Sequence, residues 1–376
     1  MKVSQHVFKS AYWHPELPSI PRPDVDWIFC TASPEVVEQL PMLLSVLKEA
    51  FPSATLIGCT TAGEISDVNV FEGSLCATAV CFEKTALSFA TAAIGQPEDS
   101  VEAGRRIAEK LAAPDLNHVL VISEGLNVNG TALAQGIMQG LPDNVRVTGG
   151  LAGDGSRFGH TQVWLNQPNP GNQVVAVGFY GQDLAVGWGS QGGWDTFGPD
   201  REITASQGNI LYQLDGRSAL KLYKDYLGDY ARDLPASGLL FPLAVTLKDG
   251  TTVVRTVLGV DEDAESMTFA GDLPQGASAR FMKANFDRLI EGAEEAATET
   301  RPGCPAPELA LLISCVGRKM VLGQRIEEEV EVTRDALGEQ AVLAGFYSYG
   351  EISPRQDQEG CALHNQTMTI TTFREL

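Results

Sequence analysis

Apolar residues fall along this chain in two rhythms, and these rhythms alternate. DWIFCTA (26–32) is apolar almost throughout and reads as a buried strand, whereas in PEVVEQLPMLLSVLKEAF (34–51) apolar residues recur three and four apart and predict a helix. TLIGCTT (55–61), SLCATAVCF (74–82) and LSFATAAI (87–94) predict strands, followed by a helix near 99–112. HVLVISEG (118–125) predicts another buried strand, 129–140 a helix, and NVRVTGG (144–150) a strand ending in glycines. TQVWLN (161–166), QVVAVGFY (173–180) and DLAVGWG (183–189) follow as strands, with NQPNPGN (166–172) as the turn between the first two.

The pattern restarts at ITASQGNILYQLDG (203–216) and a helix near 218–227, which Ser218 can cap and Gly228 can end. Strands near 241–246 and 252–259 and a helix near 283–297 lead to a loop, TETRPGCPAPE (298–308). LALLISCVG (309–317), a helix within GQRIEEEVEVTRDALG (323–338), a strand AVLAG (341–345) and a closing strand complete the chain. Adjacent strands between helices predict a mixed α/β chain of two related domains, 26–200 and 201–376, after an extension, 1–25, broken by Pro15, Pro18, Pro21 and Pro23.

One phrase occurs twice, GCTTAGEI (58–65) and GFYSYGEI (345–352), with a looser third copy in VTGGLAGDG (147–155). Glycines at fixed spacing after a strand mark tight backbone. Glu64 or Glu351 follows the second glycine, where a phosphate loop needs Lys, so the phrase predicts a polar ligand rather than a nucleotide. Candidate ligand residues are Thr60, Thr61, Glu64, Asp154, Tyr347, Tyr349 and Glu351, with Arg318 as a partner for one of the acids.

These phrases, with NILYQLDGRSALKLYKDYLG (209–228), LISCVGR (312–318) and LHNQTMTI (363–370), resemble the FIST family, the F-box and intracellular signal transduction sensory domains, over about Asp26–Thr371. The resemblance implies a cytoplasmic input module that binds a small ligand and reports in trans to a histidine kinase or a cyclic-nucleotide signalling enzyme. Free-standing members of this length include haem proteins that sense nitric oxide, and others sense amino acids or related metabolites. Haem with nitric oxide is therefore the leading ligand expectation, and a polar metabolite such as an amino acid the competing one.

Haem needs an imidazole facing an apolar pocket. His160, beside Phe158 and Trp164, and His364, on one face of LHNQTMTI with Gln366 and Met368, are the candidate iron ligands. His6 and His14 lie in the polar N-terminus and His118 begins a strand.

Composition narrows the classes. The 376 residues carry 27 basic and 48 acidic side chains, a net charge of −21, which opposes nucleic acid and anionic lipid. No apolar run approaches the roughly 20 residues needed to span a bilayer. Seven cysteines in mostly apolar surroundings suit reduced, buried thiols. GWGSQG (187–192) matches a dinucleotide pattern, but the following GWDTFGPD favours a junction turn over a helix. A non-enzymatic role is expected; a thiol or serine hydrolase using Cys59 or Ser348 is the alternative from another class.

Overall fold

The computed structural model describes residues 1–169, 171–354 and 360–376; Pro170, within the predicted turn 166–172, lies outside them. The chain is mixed α/β, as its periodicity predicts. Among the described residues, three six-stranded mixed sheets share one construction. Each is built on a parallel pair: Trp27–Ala32 with Thr55–Thr60, Leu116–Ser123 with Arg146–Leu151, and Leu309–Cys315 with Val342–Ser348. An antiparallel strand flanks the first member of each pair: Ser74–Cys81, Gln173–Tyr180 and Met368–Glu375, respectively. These are the first, second and third units.

The units exchange strands in a closed cycle. Glu64–Ser66, leaving the first unit, pairs with Val342–Ser348 of the third. Gly350–Pro354, leaving the third, pairs with Arg146–Leu151 of the second, and Val163–Leu165, leaving the second, pairs with Thr55–Thr60 of the first. Three backbone bonds repeat the cycle at its centre: Ala62 N–H to Tyr347 O at 2.8 Å, Tyr349 N–H to Leu151 O at 3.2 Å, and Gly153 N–H to Thr60 O at 3.0 Å. Each sheet thus has one edge of its parallel pair covered by its neighbour. The duplicated phrase is a threefold one, and its looser copy at 147–155 is the second unit's corner.

Gly58, Gly149 and Gly345 occupy the same place in the three units, opposite Cys30, Val121 and Leu312 in the parallel pairs. A Cβ there would lie 2.0, 1.8 and 1.9 Å from the carbonyl oxygens of those partners, so only glycine fits. Phe29, Ile57, Ile122, Ala152, Ile313 and Phe346 fill the space between the three sheets. The helices lie outside: Leu40–Ala50 covers the first sheet, Ser100–Leu111 with Gly130–Gly140 the second, and Phe286–Glu299 with Ile326–Leu337 the third.

Between the second and third units, an eight-stranded antiparallel sheet runs from Trp194 to Ala284 and packs against the helix Ala219–Leu227. Position 200 falls inside the strand Trp194–Gln207, and Leu184–Gln191 pairs with Met368–Glu375, so sheets cross from one half of the chain to the other. The N-terminal segment is likewise built in, as Lys2–Lys9 pairs along Ser74–Cys81. GWGSQG is not a turn but mostly strand: a Cβ on Gly189 would meet Ala296 O at 2.0 Å, so its glycines let the helix Phe286–Glu299 sit directly on the sheet.

Candidate functional site

At one end of the central ring, the corners of the first and second units and a helix of the third frame a cleft of about 460 Å³. Thr61, Ala62 and Gly63 come from the first corner, and Gly155, Ser156 and Arg157 from the second. Ser33, Pro34 and Glu35 follow the first unit's leading strand, and Val316, Lys319 and Met320 lie on the helix Val316–Leu322, which follows the third unit's. The cleft therefore spans two of the three junctions. The third is filled: Tyr349 stacks on Phe158 with centroids 4.8 Å apart and planes at 14°, over Gly125.

The cleft's charges are paired across it. The Lys319 ammonium donates to Glu72 and, at 2.6 Å, to Ala62 O, and the Arg157 guanidinium donates to Glu35. Lys319 is 16% exposed and Glu72 74%, so the first pair holds a nearly buried cation against a solvated acid. Lys319 also stands 5.9 Å from the centre of the Tyr347 ring.

The acids of the repeated phrase do not face this cleft. Glu64 is fully buried and accepts from Ser33 Oγ at 2.7 Å, Ser74 Oγ at 2.6 Å and Thr61 Oγ1. Glu351, also fully buried, accepts from Ser348 Oγ at 2.6 Å and from Thr367 Oγ1 and N–H at 2.9 and 3.2 Å. Each carboxyl sits on an exchanged strand and reaches back to the unit its chain has left, fastening the exchange. Burial pushes Glu64 up to about 7 and Glu351 up to about 8, against hydroxyl bonds that lower them.

Arg318 does not pair with either acid, although the sequence offers it as their partner. It is fully buried on the helix Val316–Leu322, where Nε and Nη2 donate to Glu329 Oε2 at 3.0 and 2.8 Å, and the remaining donors reach Leu289 O and Gly192 O. Tyr347 Oη and Ser314 Oγ both donate to the other Glu329 oxygen, at 2.7 and 3.2 Å. Glu329 faces inward because it sits where the helix Ile326–Leu337 buries Val330 and Thr333.

Asp154 is a loop organiser. Its carboxylate accepts from Phe158 N–H at 2.9 Å, from Gly159 and His160 N–H at 2.8 Å each, and from the Tyr349 hydroxyl. Thr60 is buried, its hydroxyl accepting from Gln162 N–H at 3.0 Å. Of the sequence candidates, only Thr61 lines the cleft directly. Glu35, Glu72, Arg157 and Lys319 went unread, although Arg157 and Lys319 lie just beyond the phrases GGLAGDG and ISCVGR.

His160 is exposed, and its Nε2 accepts from Gln162 Nε2 at 3.0 Å; His364 is half-buried with Nε2 donating to Ser353 O at 3.2 Å. Neither Nε2 offers iron a lone pair over an apolar wall, so the residues present do not fit haem at these nitrogens. Among the described residues, no three His, Cys, Asp or Glu side chains gather as metal ligands, and no helix is long and apolar enough to cross a membrane. Cys59 is sealed in the core and burial raises its thiol, the opposite of an activated nucleophile. Ser348 is equally sealed and donates to Glu351.

No curated protein sequence matches the chain. Among solved structures, the cyanuric acid hydrolase from A. caulinodans is similar over 99% of this chain and 98% of its own, at 10% identity and a TM-score of 0.33, too distant to bear on fold or activity. The FIST N domain profile matches residues 26–217 and the FIST C domain profile residues 219–354. Matched over most of its length by both halves in order, the chain belongs to the FIST family of signal-transduction sensory domains.

Proposed function

We propose that this sensory protein binds a small zwitterionic metabolite, such as an amino acid, in the cleft between the first two corners and the helix Val316–Leu322. The observation that carries the reading is the pair of charge contacts across that cleft, Lys319 with Glu72 and Arg157 with Glu35. A zwitterion satisfies both kinds of group at once: its carboxylate takes the cations and its ammonium the acids, so it exchanges partners without leaving a charge unpaired. A simple anion or cation satisfies only half of them. The volume of about 460 Å³ suits a molecule of this size. Because the cleft spans two junctions of the ring, a ligand that bridges them biases how the units sit against each other, and a partner in trans, a histidine kinase or cyclic-nucleotide enzyme, reads the result. Haem with nitric oxide draws on family resemblance alone, and the placements of His160 and His364 give it no support.

The test is a thermal-shift and calorimetric screen of the common amino acids, with haem as a separate arm. A true ligand at about 100 times its Kd stabilises by about 2.7 kcal/mol. Lys319→Met and Arg157→Met are expected to remove that shift. Failure of every amino acid to stabilise the protein, or a shift that survives both substitutions, refutes the reading.

A further inference from the structure

Asn365, Gln366 and Thr367 form the bend between the strands Cys361–His364 and Met368–Glu375, and all three are buried. Thr367 is committed to Glu351. Gln366 stands at φ +64°, in the left-handed region that a glutamine rarely adopts. It is held there by its Nε2, which donates to Leu239 O at 3.0 Å, and by Trp194 Nε1, which donates to its own carbonyl at 3.0 Å. Asn365 differs from both. Fully buried, it leaves Oδ1 and Nδ2 alike without a hydrogen-bond partner. Several buried hydroxyls share that state, but a hydroxyl turns to suit its surroundings, whereas a carboxamide presents a fixed acceptor beside a fixed donor. Buried polar groups are nearly always paired, so a whole carboxamide kept without a partner on a strained bend points to a partner from outside the chain.

Asn365 lines a cleft of about 630 Å³ where the inserted sheet meets the ring. The bend, with His364 and Thr367, forms one wall. The hairpin of Leu243–Thr246 and Thr252–Arg255 forms the other through Thr252 and Val254. Beyond Asn365 lies the third unit's corner, where a Cβ on Gly350 would come within 3.4 Å of Nδ2. Junctions between structural units are favoured places for small-molecule sites.

The lining selects the ligand's charge. Among the described residues no Lys or Arg lines this cleft and Asp249 is its one carboxylate, so it lacks the cations that the first cleft offers a carboxylate. Its chemistry suits a neutral molecule. The group that completes Asn365 sets an N–H donor beside a C=O acceptor, as an amide does, and the two amides then pair through two hydrogen bonds. Asn reads a base edge by the same two-point geometry.

We propose that this cleft is a second ligand site, for a neutral small molecule carrying a primary or cyclic amide, with Asn365 as the residue that recognises the amide. Occupancy there bears on the first cleft: Gly192, in the same lining, accepts from Arg318, which stands beside Lys319 on the helix Val316–Leu322. The proposal does not depend on which ligand fills the first cleft.

The test uses the full chain with its asparagine side-chain nitrogens isotopically labelled for NMR, and Asn365→Leu identifies the Nδ2 signal by its loss. The probes are nicotinamide, a primary amide, and pyrrolidinone, a cyclic one. N,N-dimethylnicotinamide keeps the ring and the acceptor but has no N–H to donate. At least one of the two amides is expected to shift the Asn365 signal saturably and to raise the melting temperature, and the one that does names the source. The dimethyl compound is expected to do neither. Asn365→Leu is expected to abolish the rise in melting temperature. Thr252→Trp, on the exposed side of the hairpin, crowds the cleft without altering Asn365 and is expected to remove much of that rise. Without ligand, Asn365→Leu or the smaller Asn365→Ala is expected to keep or raise the urea midpoint, because an unpartnered buried carboxamide costs stability that an apolar side chain does not. A residue kept for the fold alone loses midpoint in both variants. A fall in both, absence of a saturable Asn365 shift with either amide, an equal shift with the dimethyl compound, or a full response in Thr252→Trp each overturns the proposal.

Discussion

Replacing Glu329 by Ala tests whether the buried cluster around Arg318 is a structural lock. In the native fold the Glu329 carboxylate accepts from Arg318 twice, from Tyr347 and from Ser314, with both members of the ion pair fully buried. Removing it leaves a guanidinium held only by the carbonyls of Gly192 and Leu289. Breaking one side of a buried pair costs about 3–5 kcal/mol, and the two orphaned hydroxyls add up to about 1–3 kcal/mol each, less than additively. The total is a large part of the roughly 5–15 kcal/mol that holds a typical domain folded. By contrast, the exposed pair Arg325–Glu328, at the same 2.8 Å, contributes at most about 0.5 kcal/mol. Urea denaturation followed by tryptophan fluorescence measures both. The discriminating variant is Arg318→Met with Glu329→Ala, which removes the stranded charge and is expected to recover about 2 kcal/mol relative to Glu329→Ala alone. A loss below about 1 kcal/mol for Glu329→Ala, or strict additivity of the two substitutions, refutes the reasoning.

Other consequences follow from the same geometry. Glu351 is raised from an ordinary value of 4.5 to about 8, so its contribution to stability is full below 4.5 and lost as pH rises through 8; Glu64 behaves likewise through about 7. Glu351→Gln is expected to flatten the fall in melting temperature between about pH 4.5 and 8, and an unchanged slope counts against it. His118, buried beside Phe179 and Phe373, is lowered from 6.5 to about 3, so its contribution is full above 6.5 and lost as pH falls toward 3; His118→Gln is expected to reduce the acid sensitivity of unfolding in that window. Gly345→Ala drives a methyl to 1.9 Å from Leu312 O and is expected to prevent normal folding, seen as loss of soluble protein, while Gly73→Ala, where a Cβ meets nothing within 4 Å, costs only its φ of +66°. Tyr349→Ala removes the stack on Phe158 and frees the Asp154 loop; a cost of about 3–5 kcal/mol and faster proteolysis near residue 157 are expected.

Local chemistry made much of this chain legible from sequence. Strands such as Trp27–Ala32 and Leu116–Ser123 are largely apolar runs because both faces of their sheets are covered, and the helix at Ser100–Leu111 shows its buried stripe as Ala103, Ile107, Ala108 and Leu111. The glycine phrases announced tight backbone, and so they named the corners and the family. They did not reveal what the acids beside them touch. Glu64 and Glu351 read as ligand contacts because a carboxylate after a glycine loop is normally exposed; strand exchange turned them inward, and nothing local encodes an exchange whose partner strand lies some 280 residues away for Glu64 and some 200 for Glu351. Arg318 found Glu329, eleven residues on, instead of an acid of the phrase, because the helix Val316–Leu322, absent from the sequence reading, redirects it. The cleft itself joins Lys319 to Glu72 across 247 positions. Periodicity and turn chemistry act over a few residues and determine the elements; which elements meet, and therefore which charges face one another, depends on burial and register summed over the whole chain, and only the tertiary structure decides that.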